Sequence, residues 1–437
     1  MNASAAKGVW YTLFLLFLIN FLNFFDRTIP GVVLEPIRRE FSLSDTQLGL
    51  LATSFTFIYA IAGIPLGRLA DRVKRTWLLS GGVFLWSLMT AASGVGRSYT
   101  ALFLARLGVG IGEASCAPAA NAMIGDLFPS EKRARALGLF MLGLPLGSIA
   151  AFAVAGAVAH AYGWRTAFYL AAIPGFIVAP LAFFLKEPVR GAQERTAIDA
   201  SATIDKPFLR ILSIRTVWWI IASGAACNFA AYAMNSFLPA LLVRYHGLNV
   251  AQSGGVTALV LGVTGLVGLT AGGALADKLH RTFPRGRLML GAVSLLAASP
   301  VLWIGLGQPA GHVAVLAILV AFGWLLVFTY YVTVYSSLQD VVEPRLRATA
   351  MAVYFFFQYV LGGGLGTLVA GALSDSYAKR AMADAGATEM TNTFRALGLQ
   401  ASIRFTVPLG VLVTGIALWL ASRSFVADAE KMRGASR

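Results

Sequence analysis

Gly67-Arg-Leu-Ala-Asp71-Arg-Val-Lys-Arg75 ends one long apolar run, and Gly273-Ala-Leu-Ala-Asp277-Lys-Leu-His-Arg281 ends another. The two stretches share a Gly, a Leu-Ala-Asp triplet and a basic tail. A second pair echoes them: Asp126 with Arg133-Ala, and Asp340 with Arg347-Ala, at identical internal spacing. A pattern that recurs at corresponding places marks a duplicated structural unit. The runs around these connectors say what kind of unit it is.

Hydrophobic residues fill 57% of the 437 positions, 13% are charged, and mean hydropathy is +0.72. Soluble domains carry about 25% charged residues, so the balance is that of a membrane protein. A helix that crosses a bilayer needs about 20 apolar residues. Uncharged runs of that size occupy 46–67, 76–96, 136–164, 166–185, 216–243, 247–276 and 348–374. The run 288–339 is long enough for two spans with a turn at Gly305–Gly311, and 8–34, 99–125 and 405–422 complete twelve. The expected fold is all-α and integral to the membrane, with two pseudo-symmetric six-helix bundles at 1–186 and 214–437. A polar stretch, 187–213, joins them as a cytoplasmic linker with Pro188 and Pro207 near its ends and a short amphipathic helix at Phe208-Leu-Arg-Ile-Leu212. The loop 376–398 is expected to hold a short helix of its own.

The formal charge of +15 belongs to topology. With the N-terminus cytoplasmic, twenty-four of the 35 Lys and Arg fall in inner segments and nine in outer loops. That bias places both termini inside, against anionic inner-leaflet lipid, and requires no nucleic-acid partner. Asp26-Arg27 follows the first apolar run without a small-residue cleavage site, so the start is not read as a removable signal. Short termini without targeting segments point to a bacterial plasma membrane. Cys116 and Cys227 both lie in spans and suggest no disulfide framework. The histidines, His160, His246, His280 and His312, sit in loops or at span ends without metal-ligand spacing. No nucleophile, dyad or metal cluster lies in the spans, so no enzyme, cofactor or metal is expected. Glycines 108, 110 and 112 follow no strand, and no phosphate-binding Gly-rich loop with a Lys exists, which argues against ATP-driven pumping. The chain is expected to act as a monomer.

Four charges lie well inside spans: Asp26, Arg27, Arg106 and Glu113. Each costs at least about 2.5–3.5 kcal/mol to insert and needs a partner or water. Arg106 and Glu113 are two helical turns apart and share one face. Asp26 and Arg27, about 100° apart on their helix, must face different partners. Burial and a neighbouring arginine pull a carboxyl in opposite senses, which suits Glu113, with Asp26 sharing the titration, to proton coupling. A neutral Glu113 would leave Arg27 and Arg106 available to an anionic head group. A fixed interhelical ion pair without titration is the structural alternative. In the second half, spans 7, 10 and 11 carry Asn228, Tyr232 and Asn235, then Tyr330, Tyr331 and Tyr335, then Tyr354, Gln358 and Tyr359. Spacings of three, four and seven put some of these on common faces, and Asn228, Tyr232, Tyr330, Tyr354 and Gln358 are candidates for an amphipathic substrate lining. Satisfied packing hydroxyls are the alternative for each.

The doubled loops within twelve spans resemble the major facilitator superfamily, and Gly163-Trp-Arg-Thr-Ala-Phe168 and Arg106-x-Gly108 are similar to the same family. The first half resembles its Spinster branch at Asn20-Phe-Leu-Asn-Phe-Phe-Asp26-Arg27, Arg106-Leu-Gly-Val-Gly-Ile-Gly-Glu113-Ala-Ser and Asp126-Leu-Phe-Pro through Arg133. The resemblance implies alternating-access transport with the substrate near the midplane. It implies a proton-coupled carrier of an amphiphilic, anionic lipid such as a lysophospholipid or sphingoid phosphate. It also implies gating by Gly67, Asp71, Arg75, Asp126, Arg133, Gly273 and Asp277, the two glycines allowing close helix approach. A drug exporter, a small organic-anion carrier and a non-transporting lipid receptor are the competing readings.

Overall fold

A computed structural model describes residues 3–189, 207–283, 285–343 and 346–435, with the side chains of Asp71 and Asp277 outside the described set. Twelve helices among these residues are long and apolar enough to cross a membrane. In order, spans 1 to 6 are Gly8–Val32, Asp45–Ala70, Arg75–Val95, Tyr99–Leu127, Arg135–Tyr162 and Trp164–Phe183. Spans 7 to 12 are Arg215–Arg244, Val250–Ala276, Gly286–Leu306, Val313–Val341, Thr349–Asp384 and Asn392–Met432. The linker's expected short helix forms at Pro207–Leu212, while 190–206 lie outside the described residues.

Local chemistry accounts for the ends. Ser98 caps span 4 by accepting from Ala101 N, and Asn249 and Gln252 form a reciprocal capping box at span 8. The connections after spans 1, 5, 7, 9 and 11 each turn through one left-handed residue: Ser42, Gly163, Gly247, Gly311 and Gly386. The loop expected to hold its own helix does not. Span 11 continues to Asp384, and the next helix begins at Asn392. A Cβ at Gly398 would lie 2.4 Å from Ser374 O and 2.6 Å from Ala378 N, so these polar extensions lie backbone to backbone and support each other.

The chain forms two compact units that exchange short segments. The first comprises 1–42, 54–202 and 249–258, so it takes the first turns of span 8. The second comprises 43–53, 203–248 and 259–437, so it takes the first turns of span 2. The core of the first gathers Leu16, Ile19, Trp86, Val109, Met123 and Phe140. The core of the second gathers Phe237, Leu295, Leu302, Trp324, Ile403 and Val407.

Lipid tails are as apolar as leucine, so helices associate in a bilayer through close packing of small residues. A Cβ at Gly112 would sit 2.7 Å from Trp86 N, which joins spans 3 and 4 backbone to backbone. Gly67 does not serve this purpose: nothing among the described residues lies within 4 Å of where its Cβ would be. Gly273 meets only Val332, at 3.8 Å. The approach at Gly112 is mid-span, where both helices are apolar, and the glycines of the basic connectors do not share it.

Candidate functional site

Span 4 is broken where its carboxylate sits. One helix runs Tyr99–Glu113 and another Cys116–Leu127. Pro118 has no N–H to give the carbonyl of Ala114, and its ring crowds that turn. Ser115 Oγ satisfies Gly112 O at 2.8 Å in the gap. Glu113 is thus the last residue of a half-helix, buried to 0% exposure.

Four charges in the first unit form two pairs. Asp26 Oδ1 accepts from Arg106 Nη1 at 2.9 Å, and its Oδ2 accepts from the Thr90 hydroxyl. Arg27 donates through Nε and Nη2 to the same oxygen of Glu113, Oε2, at 3.1 and 3.0 Å, and through Nη2 to Asn23 Oδ1 at 3.2 Å. The neighbours Asp26 and Arg27 take different partners, as helical geometry requires. Arg106 and Glu113, which share a face in the sequence, bind to different neighbours on span 1. With both carboxylates ionised, the charges of the two pairs cancel.

Its members differ in exposure. Asp26 and Arg106 are 1% and 2% exposed, whereas the Arg27 side chain keeps 10%. Three rings surround the Arg27 guanidinium, with Tyr59, Phe24 and Phe55 centroids 4.4, 4.9 and 5.1 Å from Cζ. Such contacts contribute about 0.5–2 kcal/mol each, more when desolvated. Around this network two buried polar atoms have no hydrogen-bond partner among the described residues: Glu113 Oε1 and Asn23 Nδ2. Phe24, Phe55, Tyr59, Asn23 and Thr90 escaped the sequence reading. Asn23 alone carried a signal, four residues before Arg27 on one helix face.

In the second unit, Asn228 and Gln358 bond reciprocally: Gln358 Nε2 donates to Asn228 Oδ1 at 3.1 Å, and Asn228 Nδ2 donates to Gln358 O at 3.3 Å. Gln358 opens a π-helical stretch, Gln358–Gly364, in span 11, a widened turn often found at functional positions. Tyr330 and Tyr354 are fully buried, with hydroxyls 2.8 Å apart and Tyr330 also 3.1 Å from Ser223. Half-buried rings form a series beside them, from Tyr331 through Tyr335, Phe355 and Tyr359 to Tyr232, with successive centroids 5.7–6.4 Å apart.

The gating candidates fall into two repeated sets. Arg75 Nη1 lies 2.5 Å from Asp126, and its Nε 2.8 Å from Glu187; Arg287, in the first turn of span 9 as Arg75 is in the first turn of span 3, lies 3.3 Å from Asp340. Arg133 Nη2 donates to Gly125 O, eight residues back, at 2.8 Å. Arg347 Nε repeats that reach to Gln339 O at 3.0 Å. Burial raises the Glu187 pKa, but hydrogen bonds from Arg75 and the Thr76 and Arg75 backbone, with the Arg75 charge, outweigh it and hold the group below the usual carboxylate range.

The Major Facilitator Superfamily profile matches residues 16–367. An MFS-type efflux pump of Mycolicibacterium smegmatis is 31% identical over 97% of this chain and 94% of its own length. Human protein spinster homolog 1 is 30% identical over 82% of this chain and 71% of its own. Among solved structures, a bacterial homolog of the human lysosomal transporter Spinster, crystallised inward-facing and unoccupied, superposes with a TM-score of 0.88. It is 30% identical and covers 96% of this chain and 98% of that one.

Proposed function

The chain belongs to the major facilitator superfamily, as a Spinster-type transporter, and from that premise we propose proton-coupled, alternating-access transport of an amphiphilic, anionic, lipid-like substrate. A lysophospholipid or a sphingoid phosphate has the right chemistry. The observation that carries this reading is the contact between Arg27 and Glu113. Glu113 charged neutralises Arg27. Glu113 protonated leaves Arg27, the more exposed partner, without its counter-ion and open to an anionic head group. Oε1, buried and without a hydrogen-bond partner, is the oxygen placed to carry the proton. Asp26, with Arg106 and Thr90, holds the neighbouring position.

The half-buried aromatic series of the second unit offers a surface for a hydrocarbon chain. Gating falls to Arg75, Asp126 and Arg133, with Asp71 and Asp277 in the duplicated connectors, since an acid beside a helix N-terminus is favoured by the helix dipole. The protein works as a monomer among membrane lipids in a bacterial plasma membrane, both termini cytoplasmic. Similarity to an efflux pump along nearly the whole of both chains supports a second reading, proton-driven export of hydrophobic compounds.

Proteoliposomes separate these. A lipid carrier moves oleoyl-lysophosphatidylglycerol across the bilayer and binds it far better than glycerophosphoglycerol, its head group. Preference for the head group alone would contradict the lipid reading. Movement of tetraphenylphosphonium in its place favours export, and binding without movement would make the protein a receptor.

A further inference from the structure

Arg404, in span 12 of the second unit, has no place in the transport reading. Among the described residues no hydrogen bond or ion pair reaches it, and its Nε is buried without a partner. The Trp303 ring lies 4.9 Å from its Cζ. The two arginines that stack on rings in spans 1 and 4, Arg27 and Arg106, are each also paired with an acid. An arginine at a protein–lipid boundary with five donors and no acceptor is an open anion site.

The surroundings are built around that guanidinium. Gly307 ends span 9, and a Cβ there would come 2.6 Å from Nε and 2.7 Å from Cζ, so a side chain would displace the group. Gln400 Nε2 donates to Gln308 O at 3.1 Å, and Gln308 Nε2 to Ile304 O at 3.0 Å, which ties span 12 to the turn after span 9. Trp303 and Ile304 are 42% and 54% exposed, so the cradle opens toward the lipid-facing surface.

Depth identifies the anion. Arg423, on the same helix, stacks on Trp419 at 3.7 Å. From 404 to 423 at about 1.5 Å per residue the separation is about 28 Å, close to the roughly 30 Å of a hydrocarbon core. Phe405, Leu409, Leu412, Val413 and Ile416 are exposed between them. Two Arg–Trp stacks therefore bracket the apolar band, each at head-group level, where tryptophan rings collect. The acceptor available at that level, in a plane of zwitterionic and anionic lipid, is a phosphodiester.

We propose that Arg404, stacked on Trp303 and set against Gly307, holds the phosphate of a membrane phospholipid at the edge of spans 9 and 12, in the leaflet facing the turn at 307–312. The guanidinium fork donates to the phosphate oxygens, and the acyl chains lie along the exposed apolar stripe of span 12. The site is peripheral, so it takes a resident lipid whatever the transported substrate.

The full-length protein in dodecyl maltoside, incubated with palmitoyl-oleoyl-phosphatidylglycerol and read by native mass spectrometry, tests this. One phosphatidylglycerol is retained, and Arg404→Gln lowers its occupancy about fivefold, the effect of one arginine at an anionic surface. Arg404→Lys, which keeps the charge without the planar fork, falls between. On the wild type alone, a diacylglycerol with the same chains is not retained, and inorganic phosphate does not displace the lipid. Equal occupancy in wild type and Arg404→Gln would overturn the assignment. So would retention of the diacylglycerol, or displacement by inorganic phosphate, which would make the ligand a free anion.

Discussion

Arg244 and Asp45 form a two-pronged pair, Nη1 to Oδ2 at 2.7 Å and Nη2 to Oδ1 at 3.0 Å, with side chains 2% and 3% exposed. Ser374 Oγ adds a bond to Asp45 Oδ2 at 2.6 Å, and Asp375 accepts from the Asp45 and Thr46 backbone N–H groups at 3.0 and 2.8 Å. Removing one member strands a buried charge, at a cost of about 3–5 kcal/mol. Arg244→Gln therefore lowers thermal stability in detergent sharply, while adding Asp45→Asn costs much less than a second independent loss. Additive losses would mean that the two side chains do not depend on each other. None of this cluster was legible in the sequence, where Arg244 merely closes a span and Asp45 precedes one. The charges of the central network were legible, because four ionised side chains stand out in apolar runs. Which acid takes which base was not, since that depends on how spans 1 and 4 rotate against each other.

Twelve spans, their order and the turn after span 9 could be read from length and hydropathy, since the bilayer imposes both. Interruptions were harder. Pro118 signals a break that a hydropathy scan passes over, and it places Glu113 at a half-helix end. The π-helical stretches Ala151–Ala155, Ala258–Val263 and Gln358–Gly364 have no sequence signature comparable to a proline. The connection between spans 7 and 8 carries a titratable group outside the membrane. His246 is 7% exposed, and neither ring nitrogen has a partner. Burial first, and the His312 charge second, hold its pKa below the ordinary 6.5. The folded state keeps the ring neutral while the unfolded chain protonates it near 6.5. The stabilisation is therefore fully present above about pH 6.5 and lost as pH falls through the lowered folded value. Melting between pH 7.5 and 5 should show this decline, and His246→Phe should flatten it. An unchanged slope in the variant would assign the decline to other groups.

At the scale of the whole molecule the duplicated connectors report a duplicated architecture. The reach of Arg133 to Gly125 O recurs as Arg347 to Gln339 O, and an arginine in the first turn of span 3 or span 9 pairs with the aspartate of the following connector, Arg75 with Asp126 and Arg287 with Asp340. The chemistry is not duplicated. Among the described residues, the ion pairs Arg27–Glu113 and Arg106–Asp26 lie in the first unit, while the second unit buries the amide pair Asn228–Gln358 and the tyrosine pair Tyr330–Tyr354. A repeated scaffold with one charged half suits a carrier whose proton and anion are handled together. The most direct test is uptake of oleoyl-lysophosphatidylglycerol into proteoliposomes, with and without an imposed pH gradient, for wild type and Glu113→Gln. The wild type accumulates the lipid faster when the gradient is present, and the variant, folded by its melting curve, equilibrates it at one rate in both conditions. A Glu113→Gln protein that retained the full response to the gradient would contradict the account.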